Sequence, residues 1–195
     1  MLPADLSRRR FLTLSASGAV VVAAGGGVFR WFALGYPAQL GPTDTPVALS
    51  AKEFAIVRSL VEALLPATDG FPSGVALGVH QRIDEELWST TASTRRDMKN
   101  GLQLFEHATP LHGFSSRFTS LSPSARVAYL DALLRTKPGA LQQVAFALKE
   151  MAYIFYYAHT ETWKRVGYEG PWVRVARPPD SSLAYQELLR RGRVS

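Results

Sequence analysis

An all-α domain of five to six helices around a long central helix is what this sequence predicts, and three observations predict it. Apolar residues recur three and four positions apart in successive stretches between residues 50 and 159. No stretch alternates apolar and polar residues between hairpin turns, as half-buried strands do. The 195 residues, 47% hydrophobic and 19% charged, suffice for one sizeable core and fit a single domain.

The helices are expected to begin only after a leader. Ser7, Arg8, Arg9 and Arg10 precede Phe11 and Leu12, and an uncharged run extends from Phe11 to Phe29 before Arg30. Gly18, Gly25, Gly26, Gly27, Thr13, Ser15 and Ser17 dilute that run. A basic front with a mild apolar middle resembles a twin-arginine export signal, carried by Ser7, Arg8, Arg9, Phe11 and Leu12. The run is also close to the ~20 residues that span a bilayer, so an uncleaved anchor is the other reading. Ala33-Leu34-Gly35 offers a small-x-small cleavage pattern and Ala38 lies just beyond. Residues 1–38 are therefore assigned to a signal peptide or uncleaved anchor, and 39–49, with Pro42 and Pro46, to an extended linker.

The helical domain is assigned to residues 50–172. Ser50 and Glu53 form a capping box for a first helix, with Phe54, Val57, Leu60, Val61, Leu64 and Leu65 on one stripe up to Pro66. Pro66, Gly70, Pro72 and Gly74 predict a structured loop. Val75, Val79, Ile83 and Leu87 share a face of a second helix over 75–88, with Gln81, Arg82, Asp84 and Glu85 placed outside. A third helix starts near Ser93 or Thr94 with Asp97 completing the cap; Met98, Leu102 and Phe105 point inward and Gly101 weakens it. Ser122-Pro123 opens a fourth, with Val127, Leu130, Leu133 and Leu134. The longest runs from Gly139 to His159 and is apolar around most of its circumference, which predicts packing on several sides. Residues 173–195 form a basic tail in which Leu183–Arg191 could make a short helix.

The formal charge of +6 is confined to the ends. Residues 1–35 hold four arginines against Asp5, residues 173–195 five against Asp180 and Glu187, and the stretch between is neutral. That leaves the helical part without the one-sided footprint that phosphate binding needs, and no nucleic-acid partner is expected.

Chemistry-bearing patterns are sparse. With no cysteine, disulfides, thiol nucleophiles, Cys-based zinc or iron–sulfur sites and covalent c-type haem attachment are excluded. There is no dinucleotide-binding fingerprint after a strand, no P-loop and no nucleophile elbow, so no cofactor is expected in this chain. His80 and Asp84, four apart, read as a surface hydrogen-bonding pair rather than metal ligands, and Asp84, Glu85 and Glu86 as a solvated face. His107 and His112 bracket Pro110 in a loop, too isolated for acid–base work, and His159 is placed to meet a helix dipole as a cation. No catalytic or metal-binding residue is assigned.

Aromatic residues are more informative. Tyr153, Phe155, Tyr156, Tyr157, Trp163, Tyr168 and Trp172 crowd together and finish in Gly167-Tyr168-Glu169-Gly170-Pro171-Trp172. A proline-stiffened loop exposes large rings at low entropic cost, as interfaces require. Tyr156, Tyr157, Trp163, Tyr168, Pro171 and Trp172 are taken as the partner interface, with burial in the chain's own core as the alternative, weightier for the helical tyrosines.

Leu49-Ser50-Ala51-Lys52-Glu53-Phe54, Leu60-Val61-Glu62-Ala63-Leu64-Leu65-Pro66, Tyr156-Tyr157-Ala158-His159-Thr160-Glu161-Thr162-Trp163 and the Gly167–Trp172 turn, in this order behind an export signal, resemble the gluconate 2-dehydrogenase subunit 3 family over about residues 1 to 172. The resemblance implies a small, non-catalytic gamma subunit that assists folding, stability and twin-arginine export of a glucose–methanol–choline type flavoprotein oxidising sugars or alcohols. It implies FAD in that partner, a multihaem cytochrome c with c-type haem as a further subunit, and a location on the periplasmic side of the bacterial inner membrane. A membrane-anchored structural module and a stand-alone envelope enzyme using His80, His107 or His159 are the competing readings.

Overall fold

The computed structural model describes residues 35–136, 139–171 and 180–194. The leader residues Ser7, Arg8, Arg9, Phe11 and Leu12, and Trp172, lie outside them. Among the described residues the architecture is all-α, and no helix there is long and apolar enough to cross a membrane.

Helix α1, Ala51–Leu64, opens on the expected capping box: the Glu53 N–H donates to Ser50 Oγ, and the Ser50 N–H donates to Glu53 Oε2 at 2.8 Å. It ends before Pro66 and is the most enclosed element, with Phe54, Ile56, Val57, Leu60 and Val61 fully buried. Helix α2, Val79–Ser89, starts four residues later than its apolar stripe suggests. Residues 75–78 make a separate turn, and Gly78, at φ +69°, breaks the path before Val79 resumes it. That left-handed geometry is open to glycine and strained for other residues.

Helix α3, Ala92–His107, is capped by Thr91 and not by Ser93 or Asp97. Its Arg95 reaches back to the carbonyls of Leu87, Trp88 and Thr90, closing the α2 C-terminus. Helix α4, Pro123–Arg135, follows the predicted Ser122 cap and brings in Tyr129, whose buried hydroxyl donates to the Phe105 carbonyl at 3.0 Å. Helix α5, Ala140–Tyr157, crosses α3 closely: a Cβ on Gly101 would lie 2.7 Å from Val144 Cγ2. Gly101 thus admits a neighbouring helix, whatever it costs in propensity.

Both α1 and α5 touch each of the other helices from α1 to α5, so the long helix is central in connectivity. Its outer face is nonetheless open: Ile154 is 61% exposed, and Phe146 and Tyr157 stand beside it. A four-residue α6, Thr160–Trp163, follows. The tail forms α7, Asp180–Val194, longer than the short helix anticipated, and Tyr185 ties it to α2 by packing on Trp88 and donating to the Glu85 carbonyl.

The compact unit begins at Tyr36, so residues 36–49 are built into the domain rather than strung in front of it.

Candidate functional site

The aromatic end is assembled by hydrogen bonds that cap one short element on the next. Thr162 Oγ1 donates to the carbonyls of Tyr156 and His159, and the Trp163 indole N–H donates to the Tyr157 carbonyl at 3.0 Å. These satisfy carbonyls left over at the end of α5. His159 is the N-cap of α6, its Nδ1 accepting the Glu161 N–H. Its ring thus serves the start of α6, where a role at the end of α5 was expected.

Tyr156 is buried, and its hydroxyl donates to the Pro72 carbonyl at 2.8 Å. It belongs to the chain's own core, the alternative reading of the helical tyrosines, and not to the exposed surface. Tyr157, Tyr168 and Pro171 are exposed and Trp163 is half-buried. Trp163 and Tyr168 meet edge to face at 5.1 Å and, with Thr160, Lys164, Gly167 and Glu169, line an open cleft of about 630 Å³.

The ridge extends further along α5 than the sequence reading placed it. Tyr153 stacks on Tyr157 at 6.3 Å, and Lys149 Nζ lies 5.1 Å from the Phe146 ring centre and 5.9 Å from that of Tyr153. Phe146, Tyr153, Ile154 and Tyr157 fall at helical spacing on one face, a signal present in the sequence but masked by the apolar character of the whole helix.

The titratable residues are placed differently from expectation. His80 and Asp84 are both buried, and each has its own partner. His80 Nε2 pairs with Asp44 Oδ1 at 2.9 Å, while Asp84 accepts the backbone N–H groups of Val47, Ala48 and Leu49 at 2.6, 3.0 and 2.7 Å. The solvated reading holds for Glu86 on this face but not for Asp84. Burial pushes the His80 imidazole down, against the pull of Asp44. Burial would raise the Asp44 carboxyl, but hydrogen bonds from His80 and the Gly41 N–H, with Arg58 at 3.2 Å, hold it below its ordinary value.

A second polar group surrounds Glu106, which is fully buried. Its carboxyl accepts from the Tyr36 hydroxyl at 2.9 Å, the Thr119 N–H at 3.0 Å and the Thr119 hydroxyl at 2.6 Å, with Arg117 Nε 3.6 Å away. Burial pushes the Glu106 carboxyl up. His107, at the end of α3, is not isolated: Lys52 Nζ lies 2.9 Å from its Nε2. Burial, then the charges of Lys52 and Arg117, press His107 down to about 4. His112 sits edge-on to Tyr129.

These groups spend their polarity on one another and on backbone, and among the described residues no three His, Asp or Glu come together as a metal site. The arrangement does structural work inside and offers a surface outside.

No curated protein and no solved structure matches the chain. The family described as gluconate 2-dehydrogenase subunit 3 matches residues 51–170, from the first residue of α1 through α6 to the edge of Pro171. That stretch exceeds half the sequence and holds every element on which the aromatic ridge is built. The chain belongs to the gluconate 2-dehydrogenase subunit 3 family.

Proposed function

We propose that the protein is a non-catalytic small subunit of a flavin-dependent sugar or alcohol dehydrogenase complex, exported by the twin-arginine route to the periplasmic side of the inner membrane. It supports the folding, stability and passage of a glucose–methanol–choline type catalytic subunit that carries the FAD; a multihaem cytochrome c is the further partner. Family membership supports an accessory role in such a complex. The observation that carries the reading is the ridge on which Phe146, Ile154 and Tyr157 stand exposed, with Tyr168 beyond them and half-buried Tyr153 and Trp163 stacked among them. Rings standing on a helix face and a capped turn are already ordered, so docking them costs little side-chain entropy. A partner that binds only the folded catalytic subunit raises that subunit's stability by mass action.

The test is co-purification of the flavoprotein with the full-length chain. Ile154→Glu combined with Tyr157→Ser, both at exposed positions, is expected to weaken capture at least about tenfold while leaving the thermal midpoint of the small subunit nearly unchanged. Capture equal to wild type would remove this ridge as the docking surface.

A further inference from the structure

The ridge along α5 has a charge in its middle. Phe146, Lys149, Tyr153 and Tyr157 follow one another at spacings of three, four and four, so they share one face of the helix. Three of them are rings, and Lys149 stands where an apolar residue would complete the stripe. Its Nζ lies over both neighbouring rings, 5.1 Å from the centre of Phe146 and 5.9 Å from that of Tyr153. Both distances fall inside the roughly 6 Å within which a ring face attracts a cation. Only 25% of the lysine side chain is exposed, and the two rings fix where its ammonium stands. Glu150 Oε1 approaches the same Nζ at 3.2 Å, but Glu150 is 44% exposed, and water screens such a pair so that it holds little energy.

A positioned cation among exposed rings limits what can cover them. When a partner excludes water from Phe146, Ile154 and Tyr157, the ammonium between them loses hydration too. A charge covered in this way is costly unless an opposite charge meets it. Attraction to the rings grows on desolvation, yet a ring face carries no full charge to answer the ammonium. A wholly apolar cover is therefore disfavoured, and one that brings a carboxylate to this point is favoured. One polar side chain in an apolar seam fixes register between paired helices by the same physics, because every other alignment strands a charge.

We propose that Lys149 is the specificity-determining residue of the docking ridge: its ammonium pairs with a carboxylate side chain set in an apolar groove of the catalytic subunit, and so fixes the register in which that subunit lies along α5. This role presupposes that the ridge is the docking surface.

The test is the dissociation constant of the full-length chain and the co-produced catalytic subunit, at about 50 mM and about 500 mM salt. Lys149→Met keeps the length and the apolar contacts but strands the opposing carboxylate. It is expected to weaken binding at least about tenfold at low salt and to remove the salt dependence seen in wild type. Lys149→Arg is expected to keep both, and Lys149→Glu to weaken binding more than Lys149→Met does. Glu150→Gln, which releases the ammonium from its neighbour, is expected to leave binding equal or tighter. Lys149→Met binding as tightly as wild type or tighter, or Glu150→Gln doing the same damage as Lys149→Met, overturns the proposal. Ile154→Glu with Tyr157→Ser separates this failure from that of the docking reading. Binding lost in that double variant but intact in Lys149→Met overturns the role of Lys149 alone, whereas binding intact in the double variant overturns the ridge and the role of Lys149 with it.

Discussion

Two carboxylates bind distant pieces of chain rather than facing water. Asp84 gathers the N–H groups of residues 47–49, and Glu106 joins Tyr36 to Thr119. Buried hydrogen bonds of this kind are costly to break, because removing one partner strands the other. Two histidines held down by burial make the fold sensitive to acid. His107 titrates near 6.5 in the unfolded chain and at about 4 in the folded one, so across that interval the unfolded chain binds the extra proton. Stability from His107 is therefore full above about 6.5 and lost as pH falls toward 4, and His80, also held down, works in the same direction. Thermal unfolding of the full chain from pH 7 to 5 is expected to show a falling midpoint with a shallower slope in His107→Gln, whose carbonyl can still accept from Lys52; an unchanged slope would contradict this. None of these partnerships is written in local spacing. Asp84 reads as solvated because acids on helices usually are, and what buries it is a segment 35 residues earlier in the chain.

The elements divide by whether their limits are set locally or by neighbours. Helix α1 is legible because a capping box and Pro66 fix both ends within the segment itself. The α4 start is legible for the same reason, through Ser122 and Pro123. The α2 start is not, because a glycine after an apolar residue does not announce a positive φ, and the stripe from Val75 continues through it. Gly101 carries a contact invisible in one helix alone. Gly101→Val is expected to cost about 1–3 kcal/mol, because its side chain meets Val144 where α3 and α5 cross, and Val144→Ala in the same chain should recover most of the loss. Chemical denaturation measures both; a neutral single variant would mean that the crossing gives way freely. Helix α5 shows the limit of periodicity: its sequence is apolar nearly all round, so the pattern cannot say which side has a neighbour, and the side holding Ile154, 61% exposed, is left open by the described residues.

At the scale of the molecule, the all-α class and the aromatic end were legible in the sequence, and the extent of the domain was not. Residues 39–49 read as a linker because prolines bar a helix there, and Tyr36 as the end of the leader, yet Tyr36 and Leu49 are both buried in the domain. The basic tail folds as α7, where Arg190 and Arg191 pair with Glu187, so part of the C-terminal charge is answered within its own helix. Among the described residues, Asp84 and Glu106 are turned inward and paired, while Phe146, Ile154, Tyr157 and Tyr168 stand exposed on one helix and the turn after it. That is the distribution expected of a subunit completed by a partner. The most direct test is dehydrogenase activity and flavin content of the glucose–methanol–choline type subunit in the envelope fraction, made with and without this chain. The account predicts that both fall at least about tenfold without it and return when it is supplied. A flavoprotein that reaches the periplasm loaded and fully active in its absence would contradict the account.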